Sequence, residues 1–143
     1  MRPNGRSAWT LGGRVMRVLV VDDEELMLNA IRRLLRDAHV VVAFRRASEA
    51  MRRLAEDRGF DVILCDLMMP DMTGMTFHDE VVKLYPELAS RMVFMTGGAF
   101  APAAREFLGR VDPLCIQKPF SPDQLLEALS RAAQGPDNLH DSR

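Results

Sequence analysis

The chain has 143 residues, 48% hydrophobic and 27% charged, a composition close to globular averages and far from a disordered profile. Nineteen Lys and Arg against twenty Asp and Glu leave a formal net charge of −1, so the chain has no general attraction for nucleic acid or anionic lipid. Two cysteines, Cys65 and Cys115, are too few for a disulfide framework, and apolar runs such as Val18 to Val21 are strand-sized rather than membrane-spanning. With no charged-then-apolar leader at its start, the sequence predicts one compact domain in the cytoplasm.

Residues 1–16 hold Gly5, Gly12, Gly13, three arginines and a lone Trp9 without clear period, and they read as a flexible lead-in or linker. Met16 is a candidate alternative start. Arg17 to Val21 is the first strand-length apolar run. Glu24 to Asp37 then places Met27, Ile31, Leu34, Leu35 and Ala38 on one helical stripe. Val40 to Phe44 is the second run, followed by a helical pattern over Ser48 to Asp57, with Ala47, Ala50, Met51, Leu54 and Ala55 inward and Ser48 near the N-cap. The third run, Asp61 to Cys65, leads to a helix over Thr73 to Tyr85 that aligns Phe77, Val81, Leu84 and Tyr85 before Pro86 stops it. Met92 to Met95, a short helix over Pro102 to Arg110 and Leu114 to Gln117 come next. Ser121-Pro122 opens the last helix, with Leu125, Leu126, Leu129 and Ala132 inward, and Gly135-Pro136 closes it. Residues 17–133 thus form the domain, and 134–143 a polar tail.

The runs are nearly continuous rather than alternating, as in strands buried on both faces. Their strict alternation with helices implies an α/β fold, a doubly wound five-stranded parallel sheet with helices on both faces. The pattern leaves the strand order open.

In an open parallel sheet, ligands bind beyond the carboxyl ends of the strands. Asp22, Asp23 and Glu24 follow the first strand, Asp66 the third; Thr96 ends the fourth, and Lys118-Pro119-Phe120 follows the fifth. Carboxylates, a hydroxyl and an ammonium therefore converge on one edge. Crowded carboxylates repel and raise one another's pKa, and a hard divalent cation, Mg²⁺, relieves that conflict. Beside a lysine and a hydroxyl, such an ion suits the stabilisation of a transferring phosphoryl group. No GxxxxGK[ST] loop is present, and Gly97-Gly98 is no dinucleotide fingerprint, so the acceptor must be a side chain. Asp66, alone at the end of an interior strand, is the best candidate nucleophile. Taken singly, the acidic trio would read as helix N-capping and Lys118 as a solvated lysine; their combination changes that reading.

The constellation resembles the receiver domain of two-component response regulators. The resemblance rests on Val20-Val21-Asp22-Asp23-Glu24, Asp66-Leu67-Met68-Met69-Pro70-Asp71-Met72-Thr73-Gly74, Thr96-Gly97 and Lys118-Pro119-Phe120, and it covers residues 17–133. It implies a flavodoxin-like sheet of order 2-1-3-4-5. It further implies that Asp66 accepts a phosphoryl group from a phosphohistidine on a sensor histidine kinase or histidine phosphotransfer protein. Asp23 would bind Mg²⁺ directly, with Asp22 alongside and the Met68 carbonyl as a further ligand. Thr96 would bond the phosphoryl oxygen, Lys118 would pair with its charge, and the Lys118-Pro119 bond would be cis. The output would be a downstream protein target, with no direct nucleic-acid or membrane contact and no turnover on an outside substrate. The chain would be a stand-alone regulator or the receiver segment of a hybrid histidine kinase.

Two positions depart from that pattern. Cys115 stands where the family usually carries a ring that reports phosphorylation, and the apolar Met68 should not position a water for autodephosphorylation. Elsewhere, Cys65 and Cys115 read as small reduced core residues, and His39, His78 and His140 as surface or loop residues without metal spacing. Arg105, Glu106, Asp123, Glu127 and Arg131 supply charges for a homodimer through the last two helices. The rival readings are an Mg²⁺-dependent aspartyl-phosphate phosphohydrolase, against which stand the Asp-Asp in place of Asp-x-Asp and the lack of residues for a cap, and a phosphorylation-independent binding module.

Overall fold

The computed structural model describes the backbone of residues 14–98 and 101–141, with side chains up to residue 135. Among these, five strands alternate with helices: β1 (Arg17–Val21), α1 (Glu25–Leu35), β2 (Val40–Phe44), α2 (Ala47–Glu56), β3 (Val62–Asp66), α3 (Gly74–Leu84), α4 (Pro86–Ala89), β4 (Met92–Thr96), α5 (Pro102–Val111), β5 (Leu114–Gln117) and α6 (Pro122–Asp141). The strands form one sheet of order β2-β1-β3-β4-β5, and every pairing is parallel. The doubly wound α/β fold and the flavodoxin-like order are both present.

Alternation along the inner strands feeds two separate cores. Leu19, Val21, Ile63, Cys65 and Phe94 face a layer closed by α2, α3 and α5, where Leu54, Phe77 and Phe107 pack. Val18, Val20, Val62, Leu64, Val93 and Met95 face the other, closed by Ile31 and Leu35 of α1 and by Leu125 and Leu129 of α6. Each large apolar side chain buried in this way contributes about 2 kcal/mol.

The observed fold corrects several expectations. Burial on both faces holds for β3 and β4, but β2 and β5 are sheet edges, with Val40 exposed and the rest of β2 half-buried. Pro86 does end α3, yet it also opens α4, because a proline at the first helical position gives up only an N–H that has no partner there. On α2 the N-cap is Arg46 without a side-chain bond; the helix starts at Ala47, so Ser48 lies inside its first turn. Leu84 is 53% exposed rather than inward, and Ala55 is exposed, while Leu28 of α1, outside the expected stripe, is buried. Gly135, at φ 76°, breaks α6, after which helical backbone resumes to Asp141.

His39 lies in the loop before β2, as expected, and His78 on α3, but both are buried rather than at the surface. His39 Nδ1 accepts the Met16 N–H at 3.0 Å, while the Met16 carbonyl accepts from Val40 at 2.9 Å, which extends the β1–β2 edge backwards by one residue. Met16 is itself buried, and Arg14 pairs with Asp61 at 2.9 Å. His78 packs against Phe94 and Phe107, ring centroids 5.9 and 5.1 Å away, and burial lowers its pKa. Residues 1–13, including Trp9, and the His140 side chain lie outside the described residues. No helix among the described residues is long and apolar enough to cross a membrane.

Candidate functional site

The carboxyl ends of β1, β3, β4 and β5 lie side by side, because the parallel register sets Val21 against Cys65, Asp66 against Met95 and Thr96 against Gln117. The residue that closes or follows each strand therefore reaches a common edge. Asp22, fully buried, donates its N–H to the Phe44 carbonyl at 3.1 Å. Its Oδ1 accepts the Glu24 N–H at 2.9 Å, an Asx turn that swings the chain into α1. Asp66 is the last residue of β3 and only 7% exposed. Thr96 closes β4 and is likewise buried.

Asp22, Asp23 and Asp66 each bring one carboxylate oxygen to within 4.8 Å of the other two. The Lys118 ammonium lies 2.9 Å from Asp22 Oδ2, 3.2 Å from Glu24 Oε1 and 3.5 Å from Asp66 Oδ2. The Lys118 N–H donates to the Thr96 carbonyl at 2.7 Å, which holds the residue beside the end of β4, and the Lys118-Pro119 bond is cis, as the resemblance implied. Glu24 remains largely exposed, so the trio after β1 divides: two carboxylates join Asp66, and the third covers Lys118 from outside.

Electrostatics make this arrangement receptive to a cation. Burial, and then the charge of Asp22, push the Asp66 carboxyl up to about 6, against the pull of Lys118 and of the Met68 N–H. Burial raises Asp22 as well, opposed by the Glu24 N–H and Lys118. Burial is the largest single influence on Lys118 and works against its charge, but the bond to Asp22 together with the charges of Asp22 and Asp66 and the bond to Glu24 outweighs it and leaves the ammonium above its ordinary value. One ammonium against three close carboxylates leaves negative charge uncompensated in a partly desolvated place. An all-oxygen donor set of this kind fits a hard divalent cation such as Mg²⁺.

The loop after Asp66 is shaped by close approach. A Cβ on Gly74 would stand 2.4 Å from the Asp66 carbonyl and 2.9 Å from the Leu67 Cα, so only glycine lets α3 begin there. The Gly74 N–H donates to the Leu67 carbonyl at 2.9 Å, and Thr73 caps the helix by accepting from the Thr76 N–H at 3.2 Å. The Met68 side chain is 48% exposed beside the site. Cys65 is buried and free, as expected; Cys115 is also free but exposed, because β5 is an edge strand. Arg45 was not among the residues singled out from sequence, yet it donates to the Asp23 carbonyl, a contact that only the register of β1 with β2 reveals.

Residues 18–130 match the family described as the response regulator receiver domain. The hydrogenase transcriptional regulatory protein HoxA of Bradyrhizobium diazoefficiens is 33% identical over 120 residues, which cover 82% of this chain and 24% of the relative. The chemotaxis protein CheY of Listeria monocytogenes is 27% identical over 128 residues, covering 84% of this chain and 100% of CheY. A solved response regulator receiver domain protein from Clostridium thermocellum superposes with a TM-score of 0.72 at 27% identity, covering 84% of this chain and 95% of that one. The chain thus spans about a quarter of the length of HoxA. With the family matched across most of its length and the acidic edge in place, the chain belongs to the receiver domains of two-component response regulators.

Proposed function

We propose that Asp66 is the phosphoacceptor of this receiver, taking a phosphoryl group from a phosphohistidine on a sensor histidine kinase or histidine phosphotransfer protein. The observation that carries this reading is the buried Asp66 carboxylate, within 4.8 Å of Asp22 and Asp23 and 3.5 Å from the Lys118 ammonium. An Asp66 oxygen attacks phosphorus, the P–N bond breaks, and the departing imidazole keeps the electron pair. Lys118 meets the charge of the incoming phosphoryl oxygens, and the Thr96 hydroxyl donates to one of them. Asp22, Asp23, Asp66 and the Met68 carbonyl would hold Mg²⁺, which supplies charge neutralisation when bound. Burial keeps bulk water from the acyl phosphate that forms, and the exposed, apolar Met68 offers no donor to orient a hydrolytic water.

The phosphorylated form would act on a downstream protein in the cytoplasm, without turnover on an outside substrate. Cys115, exposed on β5, leaves no ring to follow a shift of Thr96, so the output surface would respond without aromatic gating. Incubation with Mg²⁺ and a small acyl phosphate tests the proposal by intact mass. One phosphoryl adduct on the wild type and none on Asp66→Asn is the expected result. An equal adduct on Asp66→Asn would sink it, and steady phosphate release from a small phosphoester would point to the phosphohydrolase instead.

A further inference from the structure

We infer that Arg45 is a positioning residue for the cation site, holding the main chain of Asp23 so that its carboxylate faces Asp22 and Asp66; this rests on the reading of those three residues as an Mg²⁺ site. The β1–β2 ladder ends at the edge of the site. Val21 pairs with Phe44, and the last main-chain bond runs from the Asp22 N–H to the Phe44 carbonyl at 3.1 Å. Beyond it the strands part, β1 into the acidic loop and β2 into α2. Arg45 then turns its side chain back across the gap. Its Nε and one terminal nitrogen donate to the Asp23 carbonyl at 3.3 and 3.2 Å. The side chain thus supplies the rung that the diverging backbones cannot.

Asp23 depends on that rung more than its neighbours do. Asp22 is fixed by its N–H on Phe44, by its Oδ1 on Glu24 and by its Oδ2 on Lys118. Glu24 is fixed by its N–H and by its carboxylate on Lys118. For Asp23 the described hold is the pair of bonds from Arg45, although its carboxylate is part of the cluster. On charge alone, a guanidinium beside a cation site weakens cation binding. Its contribution to binding must therefore be geometric, which gives the two effects opposite signs.

Arg46 provides an internal control. It is the next residue and lines the same open cleft with Asp23, Glu49, Pro70 and Asp71. Its Nε lies 3.9 Å from Asp71 Oδ2, with both side chains mostly exposed, a pair of little energetic weight.

Calorimetric titration with MgCl₂ near neutral pH, on the wild type and on Arg45→Met, Arg45→Lys and Arg46→Met, tests the assignment. Arg45→Met should bind Mg²⁺ about tenfold more weakly, as loss of a supporting contact does, with its thermal midpoint unchanged. Arg45→Lys, which keeps the charge and one donor, should fall between Arg45→Met and the wild type. Arg46→Met should bind as tightly as the wild type or slightly more so. Affinity in Arg45→Met equal to or above the wild type, or a loss matched by Arg46→Met, overturns the role of Arg45 while leaving the cation site intact. A wild type that binds no Mg²⁺ overturns the cation site itself, and the role of Arg45 with it.

Discussion

Lys118 and Asp22, 96 positions apart in sequence, meet at 2.9 Å, a shorter contact than Lys118 makes with Asp66. In the unphosphorylated protein the lysine is chiefly the counter-ion of a fully buried carboxylate. Lys118→Met should therefore lower metal-free stability by about 2 kcal/mol, less than for a rigidly charged pair because Asp22 can take up a proton instead. Urea unfolding with and without Mg²⁺ checks this, and saturating Mg²⁺ should restore part of the loss.

The elevated pKa of Asp66 gives a pH dependence of definite sign. The folded protein holds this proton up to about 6, and an unfolded chain releases it near the ordinary 3.8. The Mg²⁺-free protein should thus lose stability as pH rises from about 4 to about 6, by an amount on the order of 3 kcal/mol, and change little above that for this group. Asp22, shifted in the same direction, adds to the trend. Urea midpoints across this range should fall for the wild type and fall less for Asp66→Asn. Mg²⁺ affinity should decline below pH 6 as the proton competes for the same oxygens.

Gly74 offers a steric test. Gly74→Ala would drive a methyl group into the Asp66 carbonyl, a main-chain atom that cannot step aside without moving the proposed phosphoacceptor. Such overpacking costs about 2 kcal/mol. The expected outcome is a lowered urea midpoint together with a slower gain of the phosphoryl adduct, read by denaturation and by intact mass.

Legibility from sequence followed burial. The five strands stood out as short, nearly unbroken apolar runs, and the helices because their inward residues recur at helical spacing. Edge and centre did not separate, since Val40 to Phe44 is as apolar as Val62 to Cys65, although one run lies at the margin and the other in the middle. His78 read as a surface or loop residue because its ring nitrogens hide how well an imidazole packs against Phe94 and Phe107; its place next to Phe77, three residues before Val81, was the available sign. His39, between Ala38 and Val40, gave a similar sign. In the site, Asp22, Asp23, Asp66 and Lys118 announced themselves as charged residues directly after apolar strands. Arg45 had the same placement after β2, but arginines are common in turns, and its partner is a carbonyl that no sequence pattern displays.

The division of β3 between the two cores has a mechanical consequence. Ile63 and Cys65 are gripped by one layer, Val62 and Leu64 by the other, and β1 and β4 flank the strand on either side. Asp66 thus ends a strand packed on both faces and flanked by a strand on each side, so a charge added there would meet resistance from its own strand. Displacement would then fall on the parts around it: the loop through Met68 and Pro70, the end of β4 at Thr96, and the edge strand β5. Under the proposed phosphorylation, a fixed end of β3 would give the resulting movement a direction, outward toward the loop and the neighbouring strand ends.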